Sequence, residues 1–175
     1  TYITAARMIE PATGAVISEP AIVVDNGKIT AVGTRSSLKA PAQAKVIDLG
    51  AKTILPGLID MHTHLIGDAS LGGYSSFGET REAAAIWGVV NAGKTLQAGF
   101  TTVRNVGAGD FADVALRDAI NNGLVPGPRM YVSGPPVSII GGHCSDNNLL
   151  PNDFHLRGEG VATGPWEMRA KVRNN

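Results

Sequence analysis

The chain has a single cysteine, Cys144, among 175 residues, so no intrachain disulfide can form and a disulfide-stapled secreted scaffold is excluded. It has no excess of charge either. Fifteen Lys and Arg balance fifteen Asp and Glu, whereas a nucleic-acid binder usually carries a basic surplus or patch. No apolar run is long enough to cross a bilayer, which argues against a membrane protein. The chain opens Thr1-Tyr2-Ile3-Thr4, without Met and without the basic-then-apolar order of a signal peptide, so a trimmed N-terminus and a cytoplasmic location are expected. The phosphate-binding patterns Gly-x-x-x-x-Gly-Lys-Ser/Thr and Gly-x-Gly-x-x-Gly are missing, as is a nucleophile elbow. There is no internal repeat, low-complexity tract or charge run.

What the chain does contain is apolar residues, at 43% against 17% charged, and 22 glycines. That balance points to extensive burial in a loop-rich α/β protein rather than a helix bundle. Residues 1 to 55 read as short strands forming a small β unit, a partial sandwich. Within it, Ala21 to Asp25 and Lys28 to Val32 flank Asn26-Gly27, a pair suited to the two positive φ angles of a type I′ hairpin. Ser36 to Ala44 reads as a loop or short helix, and Lys45 to Leu49 and Lys52 to Leu55 as further strands.

The texture changes at Pro56-Gly57, where a second region, residues 56 to 175, begins. Leu58 to His64 reads as an apolar strand buried on both faces, as in parallel sheets. A Gly- and Ser-rich loop, Gly67 to Gly78, leads to a helix capped by Thr80, with Glu82 in its first turn and Gly99 beyond its end. Ile86, Val89, Val90, Gly93 and Leu96 form an apolar stripe, with Trp87 beside it, expected to pack on the sheet. Phe100 to Val106 is a second strand. Asp110 is a candidate cap for a second helix, with Asp113 three residues on and Gly123 at its end. Arg129 to Ser133 is a third strand. After a long loop, Pro135 to Pro165, a helix over Glu167 to Asn174 is expected. Strands alternating with helices imply βα units and a parallel sheet, doubly wound or closed into a barrel.

His62 and His64 stand at i and i+2 near the end of the first of these strands. Side chains two apart on a strand share a face, so the two imidazoles can chelate one ion. In a barrel they would point into the mouth. Imidazole suits several transition metals, and the spacing does not choose among them. Asp60, two residues back on the same face, is a candidate to orient a ligand from behind. A chance His-x-His is the alternative, but the apolar strand, the Pro-Gly turn before it and the Gly-rich loop after it favour a site.

The run Thr53-Ile54-Leu55-Pro56-Gly57-Leu58-Ile59-Asp60-Met61-His62-Thr63-His64 resembles the first-strand signature of the amidohydrolase superfamily. The hairpin Val23 to Gly33 resembles the small β domain that precedes it there, and Gly99 to Asn105 the family's second-strand motif. Gly127-Pro128-Arg129-Met130, Ser133-Gly134 and Gly141-Gly142-His143 resemble the imidazolonepropionase-like branch that includes Xaa-Pro dipeptidases. The likeness runs along essentially the whole chain.

The resemblance implies a (β/α)8 TIM barrel with one or two divalent ions, zinc being the expected metal, and it implies His62 and His64 as ligands of the more buried one. A metal-held hydroxide would attack a carbonyl carbon and cleave an amide-type C–N bond in a small peptide or N-acyl amino acid. A deaminase or cyclic-imide hydrolase on the same fold is the alternative, and a catalytically inactive fragment or non-catalytic barrel protein a third. The family's lysine, its later histidines and its aspartate have no place here. Lys171 falls in a helix rather than at a strand end and does not substitute.

A full barrel takes roughly 250 residues, so this chain is expected to be a fragment, a nicked first half or the first of two chains, packing against the remainder of its barrel. The complete protein is expected to be a homo-oligomer. Three further candidates touch the substrate side. His143 is one, in the loop after the third strand. Tyr74 could cover the pocket. Arg104 could pair with a substrate carboxylate, although an ion pair with Asp60 is favoured. Cys144 reads as passive and His155 as a solvated loop residue. Asn105 stands where the family often has aspartate, a departure that weakens the expected role of its strand.

Overall fold

The computed structural model describes residues 1–145 and 158–175. The chain divides into two compact units, Thr1–Pro56 and Gly57–Asn175. No helix among the described residues is long and apolar enough to cross a membrane.

The first unit is built from seven short strands: β1 (Tyr2–Thr4), β2 (Arg7–Glu10), β3 (Ala15–Ser18), β4 (Pro20–Asp25), β5 (Lys28–Thr34), β6 (Val46–Asp48) and β7 (Thr53–Ile54). They form two sheets, one ordered β5-β4-β1-β6 and the other β3-β2-β7. The hairpin β4–β5 turns at Asn26 and Gly27, both with positive φ (47° and 74°), as a type I′ turn demands. Its register shifts once, between Val23 and Val24. Each sheet also holds one parallel pair, β1 with β6 and β2 with β7. Ser36 to Ala44 forms turns rather than a helix. The hydroxyls of Thr34, Ser36 and Ser37 bond one another there.

The second unit alternates strand and helix: β8 (Leu58–Thr63), α1 (Arg81–Gln97), β9 (Phe100–Asn105), α2 (Ala112–Asn121), β10 (Arg129–Val132) and α3 (Pro165–Asn174). The three strands are parallel, in the order β10-β9-β8. Thr80 caps α1, its hydroxyl accepting from Ala83 N, and Gly99 follows the helix with φ 98°. The core gathers Leu65, Ala92, Val103, Leu116 and Met130 from the strand ends and the two crossing helices.

Three expectations are corrected here. First, β8 is not buried on both faces. Leu58, Ile59 and Met61 are each at least half exposed, because β8 pairs with β9 alone and lies at the sheet edge. Second, the buried face of α1 is carried by Gly88 and Ala92, while Ile86 and Trp87 face outward. Close approach to the loop after β8 and to α2 selects the small residues: a Cβ on Gly88 would come within 2.7 Å of Ile66 Cδ1 and 3.3 Å of Leu116 Cδ2. Trp87 instead lies 5.9 Å from Lys94 Nζ, within cation–π range. Third, Asp110 does not cap α2. Its backbone is left-handed, and Arg81 holds its carboxylate at 2.6 Å; Phe111, also left-handed, stands at the cap without a side-chain bond. A capping carboxylate needs extended backbone, which Asp110 lacks.

Candidate metal centre

β8 delivers its last residues to the C-terminal edge of the parallel sheet, the end where (β/α) proteins place their sites. The His62 and His64 rings lie there, centroids 5.3 Å apart and tilted by 70°. Both are exposed, and both line a cavity of about 450 Å3 shared with Gly107, Pro136, His143 and Cys144. The loop after β10 therefore brings His143 to the histidine pair across many residues of sequence. Cys144 is half-buried, and its backbone N–H donates to Ser138 Oγ at 3.4 Å.

Around the pair, the backbone is pinned peptide by peptide. Arg104 Nε donates to the Met61 carbonyl at 2.7 Å, and His62 N–H to Asp60 Oδ1 at 3.0 Å. Val106 N–H donates to the Thr63 carbonyl, and Leu65 N–H to Asn105 Oδ1. Asp60 thus braces the peptide of one histidine; neither imidazole bonds to its carboxylate. Arg104 forms no ion pair with Asp60; its Nε–H is turned to the Met61 carbonyl on β8. Tyr74 is 64% exposed and sits in a 3-10 turn against Phe77, with ring centroids 6.5 Å apart, outside the histidine cavity. Lys171 lies on α3 in a separate cavity with Phe111 and Glu159. His155 lies outside the described residues.

The roles of two residues were not read from sequence. Asn105 and Asp113 are both fully buried. Asn105 Nδ2 donates to Asp113 Oδ2 and to the Gly107 carbonyl, each at 3.2 Å, and Asp113 Oδ2 also accepts from Gly134 N–H. Asn105 therefore ties the end of β9 to the Leu65 backbone and to Asp113. The available signal was a lone amide closing an apolar strand. Asp113, placed in a capping pattern, gave none.

Among the described residues, no group of three or more His, Cys, Asp or Glu gathers as a metal cage. Two imidazoles converging on one cavity are the donor type that a borderline divalent cation takes, so the residues present fit part of a site.

The profile of the amidohydrolase family matches residues 53–168, from β7 into α3. The chain belongs to the amidohydrolase family. Its sheet and helices match a crystal structure of a Xaa-Pro dipeptidase with bound methionine at a TM-score of 0.79 and 31% identity, covering 98% of this chain and 43% of that one. A prolidase complexed with N-methylphosphonate-L-proline gives 0.81 and 30%, covering 99% and 43%. An imidazolonepropionase of Bacillus thuringiensis (strain Al Hakam) is 47% identical over 51 residues, 29% of this chain and 12% of that relative. The chain thus spans less than half the length of these similar structures. Family and neighbours together imply a TIM-barrel-type fold, and the members are generally metal-dependent.

Proposed function

We propose that this amidohydrolase chain supplies part of the active site of a metal-dependent hydrolase acting on an amide-type C–N bond in a small peptide or N-acyl amino acid. One observation carries the reading: His62 and His64 converge at the C-terminal end of a parallel strand, in the cavity that His143 also lines. His62 and His64 would hold a divalent ion, with zinc the expected one, and His143 would meet the substrate carbonyl or carboxylate. The ion, when bound, supplies Lewis acidity and lowers the pKa of a water. The protein's own part is to fix the two imidazoles and to shape the cavity. Two imidazoles leave a divalent ion short of ligands, so the remaining ones come from outside the described residues. The apolar side chains bared along β8 fit a further strand on its free edge, supplied by the remainder of the barrel.

The likeness to the dipeptidase and the prolidase supports the peptide reading. The 51-residue match to imidazolonepropionase favours, as a second reading, a deaminase or cyclic-imide hydrolase on the same barrel. The complete protein, loaded with zinc, should be assayed on Xaa-Pro and other dipeptides, N-acyl amino acids and cyclic imides. Hydrolysis of a linear amide that drops to background in His62→Ala and His64→Ala is the expected result. Turnover of the cyclic substrates alone selects the second reading. Full activity in both histidine variants rules out the site.

A further inference from the structure

The residue that follows the histidine pair is gripped from both sides by side-chain amides. Leu65 is buried, at 6% exposure. Its N–H donates to Asn105 Oδ1 at 2.8 Å. Its carbonyl accepts from Asn91 Nδ2, also at 2.8 Å, and the same nitrogen reaches the Gly67 carbonyl at 2.9 Å. The strand β8 ends at Thr63, whose carbonyl takes its backbone bond from Val106 N–H. Beyond that point it is side chains, not the ladder, that bond the Leu65 peptide. Two amides therefore continue the restraint one step further, on the C-terminal side of His64.

The chemistry at position 105 is specific to an amide. Asn105 accepts once, from Leu65 N–H, and donates twice, to Asp113 Oδ2 and to the Gly107 carbonyl. Aspartate of the same shape would set an oxygen without protons against two acceptors, and a hydrophobic residue would take one hydrogen bond from each of the three partners, leaving Asp113 Oδ2 with Gly134 N–H. Packing alone would not require such a group. Gly107 is itself a wall of the histidine cavity, and Asp113 fastens the network to Gly134 after β10. On Asn91, the amide projects from α1, so the helix packed on the sheet holds the next peptide, on the other side of Leu65.

We propose that Asn105 and Asn91 are positioning residues of the metal centre, clamping Leu65 so that the His64 imidazole is held toward His62, with Asp113 fixing Asn105. The inference rests on the reading of His62 and His64 as metal ligands. Groups that hydrogen-bond a metal ligand directly are worth about 10- to 100-fold in affinity, and a clamp on the next residue is expected at the lower end of that range.

The test is titration of the complete apo-protein with Co2+, followed by ligand-field absorption, in parallel with thermal unfolding. It compares wild type with His64→Ala, Asn105→Asp, Asn91→Ala and Leu116→Ala. Asn105→Asp should weaken Co2+ binding about tenfold or more and change the absorption band. Asn91→Ala should weaken it less, and α1 should survive because alanine is the best helix former. Leu116 of α2 shares the core of Leu65 but makes none of the clamp's hydrogen bonds, so its variant should unfold earlier with Co2+ affinity and band unchanged. Should Asn105→Asp fail to fold, Asn91→Ala decides. Wild-type affinity and band in the clamp variants, with binding lost in His64→Ala, overturns the clamp and spares the metal centre. Wild-type affinity in His64→Ala overturns both.

Discussion

In Thr1–Pro56 the side-chain hydrogen bonds run mostly along the surface, as among Thr34, Ser36 and Ser37 or between Arg35 and Asp48, with Tyr2 and Thr4 the buried exceptions. In Gly57–Asn175 two fully buried side chains, Asn105 and Asp113, bond each other and the backbone of three separate segments. Exposed pairs contribute little and tolerate change. A buried network has to be satisfied throughout, because each lost partner leaves a desolvated group unpaired. The difference teaches where constraint is concentrated: in local turns in the first unit, and at the C-terminal strand ends, beside the histidines, in the second.

The comparison can be broken most directly at Asp113. Asp113→Ala strips the acceptor from Asn105 Nδ2 and Gly134 N–H and should cost roughly 3 kcal/mol in urea unfolding. A loss under about 1 kcal/mol would make the buried network as dispensable as the surface pairs. Next in size is Gly57→Ala, since a Cβ there would fall 2.6 Å from the Thr101 Cβ on the neighbouring strand. Such overpacking should cost about 2 kcal/mol, read from the same unfolding curves.

In the first unit, Gly27→Ala puts a side chain at φ 74° in the hairpin turn. A penalty of about 1 kcal/mol is expected, and amide exchange should quicken along β4 and β5. An unchanged hairpin would show that the turn does not govern its register.

The smallest effect is expected at Asp48. The Gly50 N–H, then the Thr4 hydroxyl and the Arg35 guanidinium, hold its carboxyl below the ordinary value of 3.8. A lowered folded-state pKa adds stability above pH 3.8, and that stability is lost as pH falls through the lowered value. Asp48→Asn should therefore lower stability slightly at neutral pH and, with that contribution gone, flatten the acid limb of the stability–pH curve. A steeper acid limb in the variant would contradict the assignment.

Much of both units was legible because the signals are local. Thr80, Glu82 and Gly99 mark the ends of α1 within a turn of where they act, and Asn26-Gly27 carries its φ requirement in its own residue types. The candidate metal pair was legible for the same reason, since strand periodicity places positions 62 and 64 on one face. The outward turn of Ile86 and Trp87 was not. Helical spacing identifies a stripe, but the gap to the neighbouring elements decides which stripe fits, and here Gly88 and Ala92 fit it. Asp110 does not cap α2 and Asp113 is buried, because a capping pattern in sequence says nothing of a left-handed backbone or of Arg81 on the preceding helix.

The order of strands and helices, the hairpin turn and the histidine pair with its family likeness were determined by the sequence itself, through short-range geometry that each residue type imposes on its own neighbourhood. Only the tertiary structure decided that Asn105 accepts from Leu65 while donating to Asp113, that Asn91 grips the next peptide from α1, and that His143 enters the cavity of His62 and His64. Those contacts join residues 8 to about 80 positions apart, and their hydrogen bonds exist only once the strands have aligned their ends.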